Sequence, residues 1–432
     1  MNKNILISAY AISPSKGSEY GAAWNTVMNL STRHKLWVLY GMSDDHMGDT
    51  QTMRRYLLEN KVDNVTFIEV QPGFFARTIN LLNKAGLGWF FYFAYYLWQK
   101  EAYKAAQKLL ETVDIDVVHQ LGPIGYREPG FLYKLGKPTV WGPIGGMMVI
   151  DERLMRNKPL TTRIKFTLKN IINWVQLGYS PRIKKAFEQA DVLISATKTG
   201  QQTISNRFGR DSYYLSEQGI IGEISLNETK FDSDIVKLVW CGTHIERKNL
   251  QLCLDALAYV KNENWQLNVL GTGPLTGKLK QYAAKLDLQD KIIWHGHLNR
   301  TAAMSMMAAS HLHIITSIAE DNPAVVFEAM SCGVPSLTID HHGMGDVICS
   351  KCGIKVQVDE YPVMVKSIAA NLNELLAKPQ LLKILAQTTI AYAAAFKWDK
   401  RLDTLDDIYT KAIRLHEQSA AYLVANENLI VL

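Results

Sequence analysis

The chain has no apolar run long enough to cross a bilayer. Its longest, residues 87–98 (LGWFFYFAYYLW), spans 12 residues, against the ~20 of a membrane-spanning helix. Cysteine is scarce: the five residues at 241, 253, 332, 349 and 352 are odd in number and confined to the second half. That excludes a disulfide-stapled scaffold and predicts reduced thiols in a cytoplasmic protein. Cys349 and Cys352 form one CxxC downstream of His341 and His342. No second CxxC completes a zinc set, so no metal is expected. No block of Lys and Arg stands out, and the net charge of +6 is mild, so nucleic acid is not an expected partner. A GxSxG nucleophile elbow and an HExxH helix are both missing. Residues 271–279 (GTGPLTGKL) fail as a P-loop, because the spacing is wrong and Leu279 stands where a hydroxyl would hold magnesium. They are not GxGxxG either. The opening MNKNILISAY reads as a short strand, not a signal peptide.

At 432 residues with 47% hydrophobic and 20% charged side chains, the chain suits two globular domains. Apolar, β-branched runs alternate with helical patterns along its whole length. In the first half these are NILISAY, HKLWVLYG, VTFIEV, DVVHQLG, PTVWGPIGG and DVLISAT. In the second they are VKLVWCGT, WQLNVLGTG, KIIWHGHL, LHIITS and PSLTID. Such alternation predicts an α/β fold of two doubly wound, parallel-sheet Rossmann-like domains facing across a cleft. Ligands in these sheets bind beyond the carboxyl ends of the strands, where Gly17, Gly122, Gly145, Gly242, Gly271 and Gly296 fall. The expected division is 1–218, 219–395 and an amphipathic helix over 396–432 returning to the first domain. Residues 87–98 read as a buried or an interfacial helix. Residues 163–176 (RIKFTLKNIINWVQ) mix cations with apolar residues at helical spacing, which suits core packing or shallow membrane contact.

One stretch carries more chemistry than the rest. In SIAEDNPAVVFEAMSCGVP (317–335), a strand ends, Asn322 offers an N-cap and Pro323 suits the first helical position. Helix then runs from Ala324 until Gly333 and Pro335 stop it. Glu320 precedes the helix start and Glu328 sits in its second turn. Unpaired helix amides between two carboxylates suit a ligand with a phosphate centre and hydroxyl-rich ends, such as a nucleotide sugar. Taken alone, the same pattern is also satisfied by an ordinary charge–dipole contact and a solvated helix glutamate.

The series CGTHIERKNLQLCLDAL, NVLGTGP, IIWHGHL and SIAEDNPAVVFEAMSCGVPSL decides between them. It resembles the donor-binding domain of retaining glycosyltransferases of the GT-B architecture, family four (glycosyl transferases group 1). GSEYGAAWN (17–25), DVVHQLGPIGYREPGFL (116–132) and VWGPIGGM (140–147) resemble a narrower group within it. The resemblance implies an acceptor-binding first domain and a nucleotide-sugar-binding second one.

It also implies residue roles. Glu328 would accept from the nucleotide ribose hydroxyls, and Glu320 would orient the donor sugar. The backbone at Asn322, Pro323 and Ala324 would touch the sugar or diphosphate. Lys248 would neutralise the diphosphate, and the Gly17–Ser18 loop would approach the same phosphates. Gly271 and Gly273 would admit the nucleotide, while His297 and Leu298 would read the base. His119 matches either a donor-contacting histidine or a structural one two residues before it, since Leu121 holds the second position of the usual pair. Thr243 stands where the family usually places arginine, and Arg247 offers a charge nearby; Asp321 replaces the usual glycine. The implied activity is a metal-independent, retaining transfer from a nucleoside diphosphate sugar to a glycan or lipid-linked acceptor. It needs no cofactor, and it is expected in the cytoplasm or peripherally on the inner membrane face. Thr243 motivates an alternative, a non-catalytic glycosyltransferase-like subunit. A sugar-nucleotide epimerase fits the first-half motifs less well.

Overall fold

The computed structural model describes residues 2–88 and 90–430. Met1, Trp89 of the aromatic run and the last two residues of the expected 396–432 helix lie outside the described residues. The chain divides into two compact units. One comprises Met1–Met147, Trp174–Glu217 and Asp399–Leu432, the other Met148–Asn173 and Gln218–Trp398.

The first unit holds a seven-stranded parallel sheet. Its strands are β1 (Asn4–Ala9), β2 (Lys35–Tyr40), β3 (Val65–Glu69), β4 (Val117–Gly122), β5 (Thr139–Ile144), β6 (Val192–Ser195) and β7 (Tyr213–Tyr214), in the order 3-2-1-4-5-6-7. The second unit holds six: β8 (Val236–Cys241), β9 (Trp265–Leu270), β10 (Ile292–Gly296), β11 (Leu312–Ile315), β12 (Ser336–Ile339) and β13 (Gly353–Val356), in the order 10-9-8-11-12-13. Both are Rossmann-like α/β sheets. The eleven apolar runs identified in the sequence form eleven of these strands. β4 and β5 are buried at every residue, which is why they read as continuous rather than alternating patterns. The unforeseen strands, β7 and β13, are short sheet edges of two and four residues.

Residues 148–173 correct the expected division, which placed them in the first domain. Ile150, Leu154, Met155 and Phe166 pack into the core of the second unit with Leu250 and Leu279. The Phe90–Leu110 helix is two-faced. Ala94, Tyr95, Trp98, Ala102 and Ala106 are buried at helical spacing, whereas Phe90, Tyr92 and Phe93 are exposed.

The Trp398–Ile430 helix places Leu402, Leu405, Tyr409 and Ala412 in the core of the first sheet. Asp403 and Asp406 pair with Arg33 at 2.9 and 2.8 Å. Its deepest polar contact is with His119 of β4, which is fully buried. The ring's Nε2 lies 2.7 Å from the Gly142 carbonyl and its Nδ1 2.9 Å from the Tyr409 hydroxyl. A carbonyl can only accept, so Nε2–H donates, and Nδ1 accepts from Tyr409. Burial pushes the imidazole pKa down to about 4, with the Gly142 contact opposing. His119 is therefore a neutral core residue with both nitrogens engaged, which corrects its candidacy as a donor or acceptor contact.

Two stability predictions follow from that contact. Tyr409→Phe leaves a buried acceptor unpaired and should cost roughly 1–3 kcal/mol in chemical denaturation; an unchanged midpoint would contradict the assignment. The unfolded chain protonates His119 below about pH 6.5, whereas the folded chain does so only near 4. The associated stability is complete above the first value and declines as pH falls through the window between them. His119→Gln should flatten that part of the stability curve.

Candidate active site

In both sheets the strand order reverses beside the first strand of the unit, at β1/β4 and at β8/β11. Loops leaving neighbouring strands diverge there and open a crevice at the carboxyl ends.

At the second reversal, the loop after β8 carries Arg247 and Lys248, and the loop after β11 carries Glu320. Arg247 Nη1 donates to Glu320 Oε2 at 2.7 Å and to the Ala319 carbonyl at 2.8 Å. Lys248 Nζ donates to the same Oε2 at 2.5 Å. Backbone bonds lock the loops together: Ile318 N to Arg247 O at 2.8 Å, and Thr316 Oγ1 to Asn249 O at 2.9 Å. Arg247 thus faces this cluster and not open solvent, while Thr243 is exposed. A third segment closes the far side. His341 Nε2 donates to Ser317 O at 3.0 Å, and Gly343 N donates to Glu320 O at 3.1 Å. A Cβ at Gly343 would fall 1.7 Å from the Asp321 carbonyl, so only glycine fits. Cys349 and Cys352 instead bond within their own turn.

The helix between the glutamates begins at Ala324 and runs to Ser331, with Pro323 at the cap position. This corrects the expected Asn322 cap. Pro323 has ψ 82°, outside the helix, and the Ala324 amide bonds the Asn322 carbonyl at 2.9 Å. Glu328 lies one turn in. Its Oε1 accepts from Arg300 Nη1 at 2.8 Å, and burial pushes its carboxyl pKa up against the pull of Arg300. Cys241 ends β8. Burial pushes its thiol up to about 11, with Glu328 adding to the shift and Lys248 opposing it. His313 in β11 is pushed down to about 3 by burial and by Lys248. Arg300 and the His341–Gly343 turn are contacts that sequence reading did not identify.

Gly271 (φ +113°) and Gly273 have a reason for being glycine that needs no ligand. A Cβ would lie 2.1 Å from the Gly242 carbonyl at the first, and 2.6 Å from the His244 carbonyl at the second. The loop after β9 presses that closely on the loop after β8. His297 is exposed beyond β10, whereas Leu298 packs toward Val239, Leu270 and Met307.

At the first reversal, Gly17 has an ordinary φ of −85° and open space where a Cβ would stand. The left-handed residue is Ser18, at φ +54°. Glu19 accepts from the Ile124 amide at 2.8 Å, tying this loop to the GPIG turn after β4, and burial raises its pKa. Glu19 is a further residue missed in the sequence, and its position inside GSEYG was the available signal.

Residues 224–393 match the family model described as glycosyl transferases group 1. A lipopolysaccharide 1,6-galactosyltransferase of Escherichia coli (strain K12) is 32% identical over 106 residues, 24% of this chain and 29% of that protein. The chain thus aligns with under a third of this curated relative's length. Among solved structures, the lipopolysaccharide outer core galactosyltransferase WaaB superposes with a TM-score of 0.64 at 15% identity, covering 94% of this chain and 99% of that one. Anabaena HepE in complex with UDP-glucose superposes at 0.54 with 14% identity, covering 98% and 100%. Residues 224–393 therefore form a glycosyl transferases group 1 domain, and the two-sheet fold is that of the GT-B glycosyltransferases.

Proposed function

We propose that the protein transfers a hexosyl unit from a nucleoside diphosphate sugar to a hydroxyl of a glycan or lipid-linked acceptor, with retention at the anomeric carbon. The observation that carries this reading is the Arg247–Lys248–Glu320 cluster beside the Ala324–Ser331 helix. Two cations converge on one carboxylate there, at the loop that leads into the helix start. That arrangement suits a diphosphate leaving group. The likeness to a lipopolysaccharide galactosyltransferase supports a hexose and a glycan acceptor, and UDP-glucose, held by HepE, is the first donor to try.

In this mechanism Lys248 and Arg247 hold the diphosphate and meet the charge that grows as the bond from the anomeric carbon to the phosphate oxygen breaks. Glu320 orients the sugar hydroxyls, and Glu328 accepts from the ribose. The acceptor oxygen forms its bond on the face that the phosphate leaves. The acceptor's proton passes to the departing phosphate oxygen, so the products are the glycoside and the nucleoside diphosphate. Neither a protein nucleophile nor a metal is required by this scheme. Arg247 takes up the charge that Thr243 lacks, which weakens the case for a non-catalytic subunit.

The direct test is a ligand-observed magnetic resonance screen against a panel of nucleotide sugars, followed by turnover with candidate acceptors. Selective donor binding is expected, and a silent panel would remove the reading. Lys248→Ala should lower turnover by about two to three orders of magnitude with the fold intact. Arg247→Ala should cost about tenfold, and wild-type turnover in that variant would show that Arg247 does not replace the family arginine. Glu328→Ala should weaken donor binding about tenfold or more. Because burial raises the Glu328 pKa, donor affinity should begin to fall, as pH drops, above the ordinary carboxylate range. Glu328→Gln should be flat across that range, and a profile identical to wild type would reject the ribose role.

A further inference from the structure

We infer that the Leu160–Tyr179 helix is a docking element for an anionic lipid surface. One of its faces is buried, through Phe166, Asn173 and Leu177, with Asn173 Nδ2 donating to the Met148 carbonyl at 3.0 Å. The opposite face is apolar and turned to solvent. Leu160, Ile164, Leu168, Ile171 and Val175 recur at helical spacing with Trp174 beside them, each between 44% and 67% exposed. A helix packed on one side normally shows water a polar opposite face. At 100° per residue, Arg163 falls on one edge of this stripe and Lys165 on the other, while Lys169 lies further round toward the buried face. Apolar ridge, aromatic residue and flanking cations together make an interfacial helix.

Charge selects the occupant. Between Glu152 and Glu188 the chain has nine Lys and Arg and no acidic residue. Anionic headgroups complement that field, and each nearby cation adds to the attraction. A second copy of this chain would set one cationic stripe against another. The Phe74–Lys84 helix repeats the pattern. Phe74, Phe75, Leu81 and Leu82 are 41–77% exposed, and no acidic residue lies between Glu69 and Glu101. Neither face contributes to the nucleotide cluster, so this inference stands apart from the proposed chemistry.

The test is flotation of the full chain with phosphatidylcholine vesicles, alone or with about a third phosphatidylglycerol. Binding to the mixed vesicles is expected, about tenfold or more tighter than to phosphatidylcholine alone and weakened by salt. The triple variant Ile164→Glu, Leu168→Glu, Ile171→Glu changes exposed positions only. It should keep the wild-type circular dichroism and thermal midpoint while losing at least about tenfold in vesicle affinity. Arg163→Gln and Lys165→Gln together should erase much of the preference for anionic vesicles. Failure of the wild type to float, or a triple variant that floats equally well, overturns the proposal. So does sedimentation velocity showing a wild-type dimer that the triple variant abolishes, because the face would then be covered by a second copy. Nucleotide titration of the same variants separates a lost membrane contact from a failed donor site.

Discussion

The reversal of strand order between β8 and β11 is the constraint on which the candidate site depends. In a parallel sheet each strand hands the chain to a helix on one face or the other, and adjacent loops separate only where that choice changes. The loops bearing Lys248 and Glu320 flank this one point. Placed there, cations and carboxylate converge across 72 residues of sequence, although each loop is short. The first sheet uses the same device, with Glu19 bridging to Ile124 across β1 and β4.

The electrostatic content of the second reversal follows from partial burial. Glu320 and Lys248 retain only 15% and 16% of their side-chain exposure, and Arg247 36%. A carboxylate so enclosed needs a compensating charge, and removing one partner from an enclosed pair is far costlier than removing a surface pair. Here one carboxylate answers to two cations, and backbone bonds with Arg247 and Gly343 hold the loop that carries it. Cations already in place at a site for a polyanionic leaving group need not reorganise as charge develops.

Much of this was legible in the sequence because strand signals and charged loop residues are local. Buried β-branched runs marked eleven strands, and the glutamates, Lys248 and the helix between them stood in one recognisable series. Failures came where partners are remote or weakly patterned. His119 looks the same in sequence whether it faces a ligand or Tyr409, and only the returning helix, 290 residues on, decides. Arg300 meets Glu328 from the preceding helix, which no spacing rule announces. The glycines at 271 and 273 suggested close approach of a nucleotide, and the structure shows a second reason for them in the neighbouring loop's backbone. β13 escaped notice because its four residues, GIKV, carry too little periodicity to separate an edge strand from a turn.

The Leu160–Tyr179 helix shows why periodicity could not settle its role. Apolar residues at two opposed angles make a helix that reads as buried all round, and the sequence alone leaves core packing and shallow membrane contact both open. The structure assigns Phe166 and Leu177 to one side and leaves Ile164, Leu168 and Ile171 to water on the other. Such a surface is costly to keep in solution: each such side chain forgoes part of the ~1.5–3 kcal/mol that full burial would return. Cations on both edges keep it from collapsing onto another like-charged copy, and they are also what a negatively charged interface would attract. An acceptor carried on a lipid would be confined to such an interface. A transferase held there by one helix face would then meet it by diffusion in two dimensions instead of three.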